Sequence, residues 1–340
     1  MQRRLFVHIW GLLVLLAGVN TAQAASTCVF NTAGGVMTLT GDCTTDTTIL
    51  VPNGTTLDGK NFTITAVDPP NDGHFTGAVV KNAGAVANVV NLRITSADLS
   101  DVCDVGTTAL RGILFEAASG TIYGNTVSNL NQGASACPEG NAIEVQNFST
   151  DGHIPAVQTV EITSNRVSGF QKTGIACDEY VSCLVRSNVV GSSAVQAQQV
   201  VNGIQIGFGA GAIVENNDVG GNSWAGGGDY VSTAILLQFA ATGTIVRHNN
   251  LMEGNADFGI YVIADGAIVD NNRIYETGDD LNIDGWDHGI YVLSPLYGDV
   301  TTTNTVANNK VRGYLFAFNS PDFTTRDGGN NKANSSPTGK

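Results

Sequence analysis

A chain of 340 residues with 41 glycines, 8 prolines and 14% charged residues is rich in turn formers and poor in the charge that exposed helices carry. Its formal net charge of −14 offers no basic stripe for phosphates, which argues against nucleic acid as a partner. The same surplus of acid disfavours a polyanionic glycan and leaves neutral glycans and calcium open.

In chain order, Arg3 and Arg4, the apolar stretch Leu5 to Ala17 and the small residues Ala22-Gln23-Ala24 predict an export signal over residues 1–24. The stretch is too short to span a bilayer, and no later segment predicts a span. The expected protein is therefore secreted (extracellular or periplasmic), without a membrane partner and monomeric. Losing Arg3 and Arg4 takes the charge from −14 to −16. Export places the six cysteines in an oxidising compartment, where an even number reads as a disulfide framework. Of the possible pairings, order along the chain favours Cys28 with Cys43, Cys103 with Cys137 and Cys177 with Cys183.

From residue 112 onward a phrase recurs: small residue, Ile, any residue, apolar residue. It reads Gly112-Ile113-Leu114-Phe115, then Ala142-Ile143-Glu144-Val145, Gly174-Ile175-Ala176-Cys177 and Gly203-Ile204-Gln205-Ile206, and it ends at Gly289-Ile290-Tyr291-Val292. Seven copies follow at intervals of 25 to 32 residues. A second phrase trails each copy, an Asn with an apolar residue two positions on, at Asn125, Asn165, Asn188, Asn217, Asn249, Asn272 and Asn309. Such strands are too short to bury an apolar side alone, but coils of them stacked about 4.8 Å apart pair every backbone amide and bury the Ile and Val files along one axis. The asparagines then stack amide on amide as a structural column. The predicted fold is all-β, a parallel β-helix (β-solenoid) of about 8–10 rungs. Residues between the phrases form corner loops, where binding sites usually sit.

Upstream, Thr48 to Lys60 alternates apolar and polar residues around a Pro52-Asn53-Gly54 turn and an Asp58-Gly59 turn, which reads as an opening coil. This segment and the two phrases resemble the entry rung and parallel β-helix repeats of the pectate-lyase-like superfamily. The resemblance implies a right-handed helix domain over residues 47–318, an N-terminal cap over 25–46 and a polar, disordered tail over 319–340. Members of that superfamily include lyases, epimerases, hydrolases and non-catalytic proteins. The resemblance thus implies a carbohydrate-active protein, a polysaccharide lyase or glycoside hydrolase acting on a glycan laid along the helix face. The alternative is a non-catalytic glycan-binding or surface-structural β-helix.

Strand alternation points the residue between Ile and the second apolar residue outward. One outward column holds Glu144, Gln205, Tyr261 and Tyr291, and the next holds Glu116, Gln146 and Asp178. Glu144 and Asp178, a rung and a column apart, have a spacing suited to acid–base catalysis or to a shared cation; two solvated surface acids are the plainer reading. His288 with Tyr291 forms a second catalytic pair of base and acid. Alginate epimerases of the superfamily use such residues, but their Asp-Pro-His signature is absent here. The plainer reading is a stacked Tyr pair with a turn histidine. Gln205, Tyr261, Trp224, Trp286 and Arg247 are the expected substrate-binding residues, the aromatics for stacking on sugar rings. Arg186, Glu215, Arg247 and Asp270 alternate in charge along another column, first of all a salt-bridge ladder. Asp280-Leu281-Asn282-Ile283-Asp284-Gly285 matches the first half of a calcium loop, with Asp280, Asn282 and Asp284 as ligands. Tyr291 falls where such a loop needs its bidentate Glu, and an Asx-turn loop is the alternative. Ca2+ is the one cofactor considered.

Overall fold

The computed structural model describes residues 26–70, 73–133, 136–149, 153–191, 193, 200–220, 231–254, 256–276, 287–293, 303–321 and 325–334. The export segment, Trp224, Trp286 and the calcium-loop residues Asp280, Asn282 and Asp284 lie outside them.

The chain winds through three sheets of ten, eleven and twelve strands, and each rung gives one strand to each sheet. Arg111–Glu116, Ser119–Tyr123 and Thr126–Ser128 make one such rung, and Thr173–Glu179, Val181–Arg186 and Val189–Val190 make another. Pairing between rungs is parallel, and the repeated isoleucines stand in register: Ile113 on Ile143, Ile143 on Ile175, Ile175 on Ile204, and on to Ile290. These isoleucines are at most 1% exposed, as are Ile122, Ile162 and Val185 of the twelve-stranded sheet, and together they fill one continuous core. The fold is a parallel β-helix.

The small residue of the first phrase has a steric cause. A Cβ on Gly112 would lie 2.9 Å from Val127 Cγ1, one on Gly174 2.8 Å from Val190 Cγ1, and one on Gly259 2.5 Å from Ile274 Cγ2. These positions therefore face inward, against the eleven-stranded sheet, next to an Ile that also faces inward. Strict alternation fails at this corner, and the residue before the small one is turned outward.

The asparagine column closes the opposite corner. Asn125 accepts from the Leu92 N–H at 3.0 Å, while its own N–H and Nδ2 both donate to Asn165 Oδ1, at 2.9 and 3.0 Å. Its second Nδ2 hydrogen reaches back to the Val89 carbonyl at 2.9 Å. The pattern repeats through Asn188, Asn217, Asn249, Asn272 and Asn309. These amides are 0–1% exposed, and unpaired each would cost about 1–3 kcal/mol. The residue just before each column member turns left-handed, with φ of +55° at Asn216, +54° at Asn271 and +57° at Asn308, a region Asn tolerates better than most residues.

Two boundaries differ from the expected ones. The coil begins before residue 47: Phe30–Ala33 and Val36–Leu39 form an antiparallel cap hairpin, and the second of these strands already pairs in parallel with Thr55–Asp58. The chain also does not leave the coil at Phe318 as a disordered tail. Thr325–Gly329 and Lys332–Asn334 add to the twelve- and eleven-stranded sheets. Asn331 extends the column, accepting from Asn309 N at 3.0 Å. The tail's polarity hid one more turn of the same ladder, because an end rung has little core left to bury. All three chain-order disulfides form: Cys28–Cys43, Cys103–Cys137 and Cys177–Cys183.

Replacing Asn217 by Ala removes its bonds to the Val185 carbonyl and Asn249 Oδ1 and leaves two donors of Asn188 without an acceptor. The expected loss is about 2–5 kcal/mol, read as a lower denaturant midpoint with an unchanged far-UV spectrum.

Candidate functional site

The outer face of the ten-stranded sheet carries three columns of side chains. Two follow from alternation. The third, turned out by the corner at the small residue, holds Arg111 beside Asn141, then Thr173, Asn202, Thr233, Phe258, His288 and Phe316 in register. A polar residue before the small one in most copies was its readable sign, since an inward position would be apolar.

The polar half of the face is a hydrogen-bonded set. Arg111 Nε donates to Glu144 Oε2 at 2.8 Å, and Asn141 Nδ2 donates to the same oxygen at 2.6 Å. Arg111 Nη1 is fixed by the carbonyls of Gly106 and Ala109, both at 2.8 Å. That loop is held in turn by Cys103–Cys137 and by Glu139, whose carboxylate accepts from the N–H groups of Asp104 and Leu110. Lys81 pairs with Glu116 at 2.6 Å, and Gln146 donates to the other Glu116 oxygen at 3.2 Å.

Asp178 ends a chain of bonds that all run one way. Thr233 Oγ1 donates to Asn202 Oδ1 at 2.8 Å, Asn202 Nδ2 to Gln205 Oε1 at 3.1 Å, and Gln205 Nε2 to Asp178 Oδ1 at 3.2 Å. Gly207 leaves the space this carboxyl occupies, because a Cβ there would fall 2.5 Å from Asp178 Oδ1. Glu144 and Asp178 are 3% and 9% exposed, so they are buried against the outer wall and not the solvated acids of the plainer reading. Burial first, and the charge of Glu144 second, push the Asp178 carboxyl from 3.8 up to about 7.

Along the same face lies a groove of ≈ 380 Å³ bordered by Lys172, Asn202, Gln205, Phe208, Thr233, Gln238 and Tyr261. Gln205 and Tyr261, two of the residues expected to bind substrate, both border it. Lys172 donates from Nζ to the Val200 carbonyl at 2.8 Å, and burial pushes its ammonium down to about 8.

Beyond the groove the face becomes aromatic. Phe258 stacks on Tyr291 at 5.0 Å, His288 stacks on Phe316 at 4.9 Å, and Tyr261 meets Tyr291 edge-on at 5.4 Å. His288 is 4% exposed with Asn319 Nδ2 at 2.9 Å from its Nε2, and burial pushes the ring down to about 4, so it is neutral at pH 7. The strands bearing Asp178 and His288 are four rungs apart, roughly 19 Å at strand spacing. The structure thus brings Glu144 to Asp178 and His288 to Tyr291, but keeps the two pairs apart. Arg247 joins neither. It lies in the twelve-stranded sheet, donating to Glu215 at 2.8 Å, with Arg186 4.0 Å from the same carboxylate. Among the described residues, no group of three or more His, Cys, Asp or Glu could hold a metal ion.

Residues 153–336 match the family described as the right handed beta helix region, more than half of the chain. The protein belongs to the right-handed β-helix family. Among solved structures it is similar to the periplasmic alginate epimerase AlgG, at 14% identity and a TM-score of 0.52 over 87% of this chain and 69% of that one. It is also similar to the Dettilon tailspike protein, at 13% identity and a TM-score of 0.33 over 84% of this chain and 61% of that one. No curated protein matches it in sequence. The family match and the likeness to AlgG support the same fold that the strand ladders show.

A carboxyl with its pKa raised from 3.8 to about 7 holds its proton more tightly folded than unfolded. Its stabilising contribution is full below 3.8 and is lost as the pH rises through about 7. Asp178→Asn, which cannot ionise, should flatten the fall in stability across that window by a few kcal/mol, measured by denaturation at stepped pH. Glu144→Gln removes the like charge and should move the Asp178 titration downward, followed by the carboxyl ¹³C shift.

Proposed function

We propose that the protein is an exported carbohydrate-active β-helix that binds a glycan along the outer face of its ten-stranded sheet and acts on it by proton transfer through Asp178. The observation that carries this reading is Asp178 itself. It is a buried carboxyl poised near neutral pH, one rung from an arginine-paired Glu144 and hydrogen-bonded to a side chain of the groove.

A group with this poise exists as both acid and base at pH 7, the condition under which general catalysis is most effective. As an acid it can protonate the leaving oxygen of a glycosidic bond while water adds to the anomeric carbon; as a base it can take the proton beside a uronate carboxyl as the neighbouring C–O bond breaks and a C=C bond forms. Glycoside hydrolysis and lyase chemistry share this requirement. Burial first, and the charge of Glu144 second, keep the Asp178 proton in place. The fold neighbour named as an alginate epimerase supports a sugar-directed reading. Three disulfides and the basic-apolar start support export.

One observation favours a second reading, a binding protein without turnover. Glu144 is 3% exposed, and its Oε2 already accepts from Arg111 and Asn141, as a purely structural carboxylate would.

Reducing ends and unsaturated-sugar absorbance measured over a panel of polysaccharides separate the two. Turnover is expected, and Asp178→Asn should lower it by about 10²–10⁴-fold with the far-UV spectrum unchanged. Glycan retention on a gel with neither signal from the wild type selects the binding reading.

A further inference from the structure

Two phenylalanines on neighbouring rungs lie beside the groove in a conformation that ordinary packing does not explain. Gly207 pairs with Gln238, so Phe208 and Phe239, each the next residue, stand one above the other at the corner after the ten-stranded sheet. Their rings are 6.3 Å apart and tilted by 47°, and they are 43% and 46% exposed. Both sit at φ +55°, the left-handed region, where a bulky side chain is an outlier. The same corner in other rungs carries Ala117 at +50° and Glu179 at +67°, and the asparagine corner carries Asn216 and Asn271. The fold thus has cheaper residues for this turn and at two rungs does not use them. Strain of this kind, held in place by its surroundings, gathers at ligand sites.

The surroundings hold it firmly. Phe208 N–H donates to the Gln238 carbonyl at 2.8 Å, Gly209 N–H to the Phe239 carbonyl at 2.8 Å, and Phe239 N–H to the Ile263 carbonyl at 2.7 Å. The rings stand on rigid ladder positions, and Phe208 borders the groove with Asn202, Gln205, Thr233 and Gln238. Amides and a hydroxyl both donate and accept, which matches sugar hydroxyls, and an exposed aromatic ring matches the apolar face of a pyranose. The one charged side chain among the described residues bordering the groove is Lys172, whose ammonium donates to the Val200 carbonyl. With a net charge of −14 on the chain, a run of carboxylated sugars would meet repulsion and a single cation.

We infer that Phe208 and Phe239 form a stacking platform for a neutral pyranose chain that runs parallel to the helix axis, its hydroxyls on the amides of the groove. This rests on the glycan-binding reading and names its ligand class. Both rings are placed to bind and neither is placed to react.

The test is affinity electrophoresis of the full chain in gels containing galactomannan, xyloglucan or mixed-linkage β-glucan, with polygalacturonate and alginate as acidic polymers. At least one neutral polymer should retard the wild type. The double variant Phe208→Ala/Phe239→Ala should bind it about tenfold more weakly or worse. Phe208→Trp should retain binding. Phe208→Gly, which relieves the left-handed strain, should weaken binding while the melting temperature stays level or rises. A fall of several degrees in that variant would make the ring structural and overturn the inference. Unchanged retardation of the double variant by a neutral polymer would remove the platform but leave glycan binding intact. Retardation by the acidic polymers alone would overturn the ligand class. No retardation by any polymer would overturn both this inference and the reading on which it rests.

Discussion

A chain that turns sharply three times per rung must find partners for backbone groups that no strand ladder reaches. At one corner of this helix, from the Leu92 N–H onward, the partner is a side-chain amide. From Asn165 to Asn309, each column asparagine uses one oxygen to accept two N–H donors of its neighbour and both hydrogens of its Nδ2 to bond in two directions. An aspartate would lack the donors and a serine could not reach in both directions, so the amide is fixed by its inventory of groups. The left-handed residue before each Asn bends the chain so that the amide points along the axis. From Asn125 to Asn331 the column helps fix the registry, where a slip of one residue would bury the outward side chains and expose the isoleucines.

Once the core and one corner are fixed, the outer face of the ten-stranded sheet is free to vary, and its composition changes along the axis. The rungs of Arg111, Glu144 and Asp178 carry charge and amides; those of Phe258, His288 and Phe316 carry rings. Burial has opposite consequences in the two halves. It keeps the proton on the Asp178 carboxyl and off the His288 ring, and both shifts favour the uncharged form.

The parts of this arrangement that repeat were legible in the sequence. Seven isoleucines and seven asparagines at matched intervals define the stacking, and alternation from each Ile correctly turned Glu144, Asp178, Gln205 and Tyr261 outward. What failed was alternation itself at Gly112 and its equivalents, where two adjacent residues face inward. Alternation alone therefore does not place Asn202 and Thr233 on the face, although His288 in the same column stands out by its chemistry. Polarity misled at the C-terminal end, where Thr325–Gly329 is charged and glycine-rich yet still pairs in parallel with Asn304–Ala307, with a register shift between Val306 and Ala307. Burial of Glu144 and Asp178 was also hidden, because the loops that contribute to it are set by long-range bonds such as those of Glu139, which no local pattern encodes.

The tolerance of the fold for its costly residues follows from its one-dimensional build. In a solenoid each rung contacts only its neighbours, and stability is close to a sum of rung and interface terms. A carboxyl buried at Asp178 or a left-handed Phe208 is offset by the ladder bonds and isoleucine contacts of the rungs on either side, without distorting distant ones. Strained and desolvated groups can therefore stand on adjacent rungs, as Asp178, Phe208 and Phe239 do. Among the described residues, parallel ladders carry the chain from rung to rung, and on these adjacent rungs a proton-holding carboxyl, a one-way hydrogen-bond chain and exposed rings in an unfavourable conformation coincide.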